Sequence, residues 1–248
     1  MEAVLYICHG SRIKSAVSQA IEFVESCKSL RNEPIQQYCF LELSQPTIAQ
    51  ALEKCVALGA TQIRAIPVLL LTAAHAKIDI PLELEKAMQY YSQVKLQLGK
   101  PIGVNNELTN LLYERIQQTY QPITANSKIL LVGRGSSDLD VKRDLSLIGK
   151  LLEQKINHPV HICFLTGCKP YFRELIAELN DSEIDRIFIV PYFLFTGLLI
   201  NGIRKTVKEY SQKNNTKYVL CDYLGNASVV VHALNNRINE ISFNKVLS

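Results

Sequence analysis

The most constraining feature of this 248-residue chain is an internal repeat of its apolar segments. Three pairs of segments carry the repeat: Val4–Arg12 with Ile129–Ser137, Cys39–Glu42 with Cys163–Thr166, and Ile66–Thr72 with Val190–Thr196. A chain of this length can bury two modest cores. The repeat therefore predicts two similar domains, 1–121 and 128–248, joined by a polar linker from Gln121 to Ser127.

Within each half, short apolar runs alternate with longer segments of helical periodicity, which is typical of βαβ units and a parallel sheet. The predicted strands are Ala3–Cys8, Gln37–Leu41, Gln62–Leu70, Val94–Leu98, Lys128–Val132, Val160–Leu165, Arg186–Val190 and Lys217–Cys221. The predicted helices are Lys14–Ser29, Thr47–Leu58, Pro81–Tyr91, Glu107–Thr119, Asp140–Gln154, Tyr171–Asn180, Asn201–Lys213 and Val229–Ile241. We expect an α/β protein of two three-layer α/β/α domains, each with a four-stranded parallel sheet and right-handed crossovers.

Composition excludes several classes of function. The net charge of +4 comes without a basic run or stripe, which argues against nucleic-acid binding. The seven cysteines are scattered and form no CxxC pair, so the sequence does not indicate a zinc-ribbon or iron–sulfur site. Scattered free cysteines indicate a reducing compartment. The longest apolar run, Ile187 to Ile200, is too short to span a membrane, and no signal peptide is recognisable. We expect a cytoplasmic protein without a membrane partner.

The two halves differ where the first half has His9, Glu42 and His75. The second half has Arg134, Thr166 and Leu199 at those positions. Each of the three follows a predicted strand, and ligands of open parallel sheets bind outside the carboxyl ends of the strands. This pattern predicts one site, lined mainly by the first half.

Each residue also has a structural interpretation. His9 could be satisfied by a backbone carbonyl and Glu42 could be a surface carboxylate, although Gly10 permits close backbone approach and Ser11 can cap the next helix. His75 follows small residues that leave room for a bulky ligand. The remaining candidates are weaker: His158, His161 and His232 are expected to be surface or half-buried residues, and the Gly133–Asp138 loop is a backbone nest that could hold a carboxylate.

The motif His9-Gly10-Ser11-Arg12, Glu42 with Pro46, the Pro67–Thr72 segment followed by His75, and the duplicated second half resemble the sirohydrochlorin chelatases of the SirB/CbiX type. The resemblance covers essentially the whole chain. It implies an ATP-independent class II chelatase, a lyase with no required cofactor and an active site in the inter-domain cleft. Its substrates would be sirohydrochlorin and a divalent metal, Fe²⁺ or alternatively Co²⁺ or Ni²⁺. By this resemblance His9 and His75 match the paired catalytic, metal-binding histidines, and Glu42 matches the accompanying carboxylate.

Several alternatives stay open at this stage. The chain lacks the histidine-rich stretch and the C-terminal cysteine motif of long cobalt-type members, which favours the ferrochelatase that completes sirohaem over a cobaltochelatase or nickel chelatase. A metal or tetrapyrrole carrier is the non-enzymatic alternative. A histidine phosphatase is disfavoured because Cys8, not arginine, precedes His9. Whether an upstream precorrin-2 dehydrogenase hands over the substrate is also open.

Sirohydrochlorin is rich in carboxylates, so its binding site should carry basic side chains. The candidates follow predicted strand ends: Arg12, Lys14, Lys77, Arg134 and Arg204. Arg134 is favoured, because it occupies the place that His9 holds in the first half. Neutral imidazole is the competent ligand and base, and activity is therefore expected to rise through about pH 6.5.

Overall fold

The computed structural model describes residues 1–179 and 183–243, and both halves of this part of the chain follow one order of elements. The first half contains β1 Glu2–Cys8, α1 Lys14–Lys28, β2 Ile35–Phe40, α2 Ile48–Ala57, β3 Gln62–Pro67, a π-helical turn His75–Asp79, α3 Ile80–Met88, β4 Lys95–Leu98 and α4 Asn106–Gln117. The second half contains β5 Ser127–Gly133, α5 Leu139–Ile156, β6 Val160–Phe164, α6 Phe172–Glu178, β7 Arg186–Pro191, α7 Leu198–Ser211, β8 Lys217–Leu220 and α8 Ser228–Asn239.

The strands form two four-stranded sheets of identical order, β2-β1-β3-β4 and β6-β5-β7-β8. Every pairing is parallel, with Tyr6 of β1 opposite Tyr38 on one side and Ile66 on the other. Residues Ala3–Cys8 are all buried, as expected for a central strand that helices cover on both faces. The predicted fold class is confirmed.

Local sequence signals explain several helix ends. Thr47 and Gln50 form a reciprocal capping box at the start of α2. Gly59 ends the α2 region with a φ of +91°, a conformation that glycine adopts without strain. The end of the predicted helix Tyr171–Asn180 lies outside the described residues.

Two boundaries around the sequence Val68–Pro81 differ from prediction. Strand β3 ends at Pro67, three residues before the expected Leu70. Helical structure begins at His75, in the π-helical turn, and not at Pro81. Pro81 lies in the first turn of α3, directly after the π-helical turn.

The compact units of the molecule exchange the helices that end each repeat. One unit consists of residues 1–103 together with the chain from Asn226 onwards, and the other is the continuous segment Val104–Gly225. In this grouping helix α8 belongs with the first sheet and α4 with the second, whereas the sequence repeat itself divides at 121–128.

Packing explains this exchange. Helix α8 buries Val230, Leu234 and Ile238 in the unit that contains α1 and β3. The Arg237 guanidinium donates to the Ile102 carbonyl at 2.7 Å, which fixes α8 to the same unit. In the other unit, Arg115 of α4 donates to the carbonyl oxygens that follow β8. Among the described residues, no helix has the length and apolar character needed to cross a membrane.

Candidate active site

Three consecutive strands of the first sheet bring His9, Glu42 and His75 together. His9 follows the central strand β1, while Glu42 and His75 follow its two neighbours, β2 and β3. The His9 and His75 rings lie edge to face with centroids 4.6 Å apart, and His9 Nδ1 lies 3.4 Å from Glu42 Oε1. One ligand atom from each of the three residues lies within 4.8 Å of the others, so the three form a metal-competent group, meaning a group of side chains that could hold a metal ion. It is the one such group among the described residues, 1–179 and 183–243.

The backbone beyond β1 and β2 fixes the distance between His9 and Glu42. The Leu41 amide donates to the Cys8 carbonyl at 2.8 Å, and the Glu42 amide donates to the His9 carbonyl at 3.1 Å. Gly10 has a φ of +97°, and a Cβ atom there would lie 1.7 Å from the Glu42 carbonyl oxygen. Only glycine fits this approach, so Gly10 is required for the two side chains to meet.

Two serines close the loop that follows His9. The Ser44 hydroxyl accepts from the Ser11 amide at 3.1 Å and donates to the Ser11 carbonyl at 2.9 Å. The Ser11 hydroxyl accepts from the Ile13 amide, one residue before α1 begins, and α1 itself has no side-chain cap. Ser11 therefore closes a turn and does not cap the helix as predicted.

His75 is the first residue of the π-helical turn, in which the Ile80 amide donates to the His75 carbonyl. Its Nδ1 atom lies 2.7 Å from Oδ2 of Asp79, within hydrogen-bonding distance. The side chains of His75 and His9 are a little over a quarter exposed, so both imidazoles can be reached from solvent. Single π-helical turns inside helices are frequent at functional sites.

Cys8 precedes His9 but does not compete with it as a ligand. Its side chain is buried, and burial raises the pKa of the thiol to about 12. A neutral, buried thiol is a poor metal ligand, because metals bind the thiolate. The donors offered to a metal are therefore imidazole nitrogens and carboxylate oxygens, a set that suits divalent iron, cobalt, nickel and zinc.

The basic residues predicted to bind substrate carboxylates are all exposed. Arg12 lies between β1 and α1, Lys14 is the first residue of α1, and Lys77 lies in the same turn as His75. Arg134 and Arg204 belong to the other unit, where Arg134 follows β5 and Arg204 lies in α7. Each thus lies after a strand of its sheet, as the sequence predicts.

The remaining histidines are structural or exposed. Nε2 of His158 lies 2.7 Å from the Ser127 carbonyl, and His232 is exposed on α8. Partial burial, reinforced by the charge of Lys128, lowers the pKa of His161. None of the three belongs to the metal-competent group.

Sequence reasoning did not identify Asp79. The sequence predicts a loop before Pro81, whereas the helical conformation that begins at His75 places the residue four positions later against its ring. The available signal is a length difference: four residues lie between His75 and Ile80, whereas three lie between the corresponding Leu199 and Ile203.

Comparisons with known proteins agree with the repeat and with the fold. The CbiX family model matches residues 3–119 and again 128–241. The chain is 42% identical over 246 residues to the sirohydrochlorin ferrochelatase of Priestia megaterium, covering 99% of this chain and 92% of that protein. It is 43% identical over 244 residues to the sirohydrochlorin ferrochelatase of Bacillus subtilis strain 168, covering 98% and 93%.

Among solved structures, SirB from Bacillus subtilis with Fe³⁺ is similar, with a TM-score of 0.87 and 44% identity over 96% of this chain and 94% of that one. The family model accounts for both halves of the sequence, and the relatives align over nearly the full length. The chain belongs to the CbiX family.

Proposed function

We propose that this chain is a sirohydrochlorin ferrochelatase that inserts Fe²⁺ into sirohydrochlorin to give sirohaem without ATP. The family, and relatives of 42% and 43% identity that bear this name, support the activity. The observation that carries the proposal is the group of His9, Glu42 and His75, held together at the ends of three neighbouring strands.

Metal insertion requires that a hydrated divalent ion lose water and that the macrocycle lose its two pyrrole protons. A site with three protein donors leaves coordination positions open, whereas a closed four-ligand site would retain the ion. We propose that His9 and His75 bind the ion transiently and that pyrrole nitrogens replace its water ligands. The imidazoles and Glu42 are also the groups that can accept the pyrrole protons, because neutral imidazole and carboxylate are the available bases.

Iron is the preferred metal in this proposal. The cobaltochelatase of Priestia megaterium is less similar, at 34% identity, and this chain covers 75% of its length. A structure of the chelatase SirB from Bacillus subtilis subspecies spizizenii in complex with cobalt, 40% identical to this chain, supports Co²⁺ as an additional substrate. Imidazole accepts either ion, so selectivity depends on geometry and availability.

We also propose that the exposed basic residues bind carboxylates of sirohydrochlorin, as Arg12, Lys14, Lys77, Arg134 and Arg204 are placed after strand ends. A cytoplasmic location fits the seven free cysteines, six of which are buried. Delivery of the substrate by a precorrin-2 dehydrogenase remains a prediction.

The test is an anaerobic absorbance assay with sirohydrochlorin in large molar excess over protein, and with Fe²⁺, Co²⁺ or Ni²⁺ supplied separately and in competition. We expect many turnovers with Fe²⁺, well above the spontaneous rate, and a lower specificity for Co²⁺ and Ni²⁺. Stoichiometric binding without turnover would instead identify a carrier. Preferential use of Co²⁺ in direct competition would replace the proposed activity with cobalt chelation.

A further inference from the structure

We propose that Asp79 is a positioning residue that holds the His75 imidazole in the Nδ1–H tautomer and directs its Nε2 lone pair to the metal. This inference deepens the proposed function and rests on it for its consequence in catalysis. The geometry itself concerns the protein alone.

The first observation is the contact between the two side chains. Nδ1 of His75 lies 2.7 Å from Oδ2 of Asp79, a distance that a charge-assisted N–H···O⁻ hydrogen bond prefers. A carboxylate that accepts from Nδ1 requires the proton to be on that nitrogen, and in the neutral imidazole Nε2 is then the unprotonated ring atom. Metal-bound histidines commonly donate their other ring nitrogen to a carboxylate in this way, which also fixes the ring orientation.

The second observation comes from the repeat. From Pro67 to His75 the chain is as long as from Pro191 to Leu199, but it has one residue more between His75 and Ile80 than between Leu199 and Ile203. Ile80 and Ile203 correspond because both are buried. The extra residue is accommodated as the π-helical turn.

Counted back from these isoleucines, Asp79 corresponds to Gly202, as His75 corresponds to Leu199. The second half therefore lacks the imidazole, the carboxylate and the extra residue together. Joint loss is what a functional pair predicts. An Asp79 that only stabilised the start of α3 would have no reason to depend on a histidine.

The third observation is the parallel with His9. Its Nδ1 atom also faces a carboxylate, at 3.4 Å from Glu42 Oε1. Both imidazoles thus have Nδ1 beside an acidic oxygen, which is the arrangement that leaves both Nε2 atoms to act as ligands. The contact between His75 and Asp79 is the shorter of the two and lies within hydrogen-bonding distance, as a fixed positioning role requires.

The tautomer can be measured directly, without metal or substrate, from long-range ¹H–¹⁵N spectra of histidine-labelled protein at alkaline pH. The His75 signals are identified with the variant H75A. We expect the Nδ1–H pattern in the wild-type protein and its loss in D79A. D79N retains an oxygen that can accept from Nδ1–H, so it should retain the pattern. E85A removes an exposed carboxylate from α3 and should change nothing.

Wild type, D79A, D79N and E85A are then titrated with Co²⁺ alone, and binding is followed by visible absorption. We expect D79A to bind Co²⁺ about 10- to 100-fold more weakly than wild type, the usual cost of losing such a partner. D79N should lie between D79A and wild type, and E85A should match wild type.

Persistence of the Nδ1–H pattern in D79A overturns the proposal, and so does unchanged Co²⁺ affinity in a D79A protein whose tautomer has changed. A wild-type protein that shows the tautomer and binds Co²⁺ but has no chelatase turnover would overturn the proposed function and leave this inference standing.

Discussion

The loops after β1 and β2 and the loops after β5 and β6 are built alike but carry different chemistry. In the second half the Leu165 and Thr166 amides donate to the carbonyls of Gly133 and Arg134, as their counterparts do in the first half. Gly135 has a φ of +86°, and a Cβ atom there would lie 1.8 Å from the Thr166 carbonyl oxygen. The backbone contact is therefore a property of the scaffold, and the proposed metal site depends on which side chains that scaffold presents.

The largest expected effect separates the side chains proposed to bind metal from side chains of the second half. We expect H9A and H75A each to reduce iron insertion by about 10²- to 10⁴-fold, because each removes a ligand and a candidate base. T166A and L199A remove the counterparts of Glu42 and His75 in the second half and should retain turnover within a few-fold of wild type. Initial rates from sirohydrochlorin absorbance measure all four.

Near-normal turnover in both histidine variants would contradict the assignment. Equal losses in the two halves would contradict the division of roles between them. Circular dichroism should show that all four variants retain the wild-type fold, because none of the substituted side chains lies in the buried core.

The next effect tests the shared scaffold. G10A and G135A should each lower the free energy of unfolding by more than about 2 kcal/mol, because the new methyl group overlaps a carbonyl oxygen and φ is positive. Only G10A should also abolish Co²⁺ binding. G202A is the matched control: this helical glycine has open space around its Cβ position, so alanine should stabilise the protein by about 0.5–1 kcal/mol. Denaturant titrations give all three values.

A smaller effect is expected where the loops differ by one hydroxyl. Ser44 bonds to both the amide and the carbonyl of Ser11, whereas the corresponding position of the second half is Cys168. We expect S44A to lower the free energy of unfolding by about 1 kcal/mol and to raise the KM for metal. C168A should leave both quantities unchanged. A loss of the same size in C168A would show that the loop needs this position generally.

The smallest effects are those of acid on the two units. Burial disfavours ionisation of Glu33, but hydrogen bonds from Arg31 and the charges of Arg31 and Arg64 outweigh it and lower the pKa of Glu33. The folded-state pKa of Glu33 lies below the unfolded value. Its contribution to the free energy of unfolding is therefore present above about pH 4.5 and is lost as the pH falls through the folded-state pKa.

His161, in the other unit, also has a lowered pKa, for which burial is the main cause. The unfolded chain then binds a proton that the folded unit resists, so this contribution to stability declines as the pH falls through about 6.5 and below. Thermal unfolding should be measured as the pH is lowered from 7 to 3. The melting temperature should decline first below about pH 6.5, an effect that H161L removes, and again below about pH 4.5, an effect that E33Q removes. One common decline, insensitive to either variant, would contradict the two assignments.

Much of the site could be predicted because strand ends are readable in sequence. His9 and Glu42 follow buried apolar runs, and parallel strands bring their ends to one edge. Asp79 could not be predicted in the same way, since its role depends on one extra residue absorbed within a helix. The sequence also does not predict which sheet α4 and α8 each cover. The two helices occupy equivalent places in the repeat, and their apolar periodicity does not distinguish one sheet from the other.

The exchange of α4 and α8 has a consequence for synthesis on the ribosome. The segment Val104–Gly225 is continuous and can complete its core as soon as it has emerged. The unit with His9 and His75 is translated first but stays open beside α1 and β3 until Val230, Leu234 and Ile238 arrive. The residues proposed to bind the metal are thus among the earliest to leave the ribosome and the last to be enclosed by a finished interior.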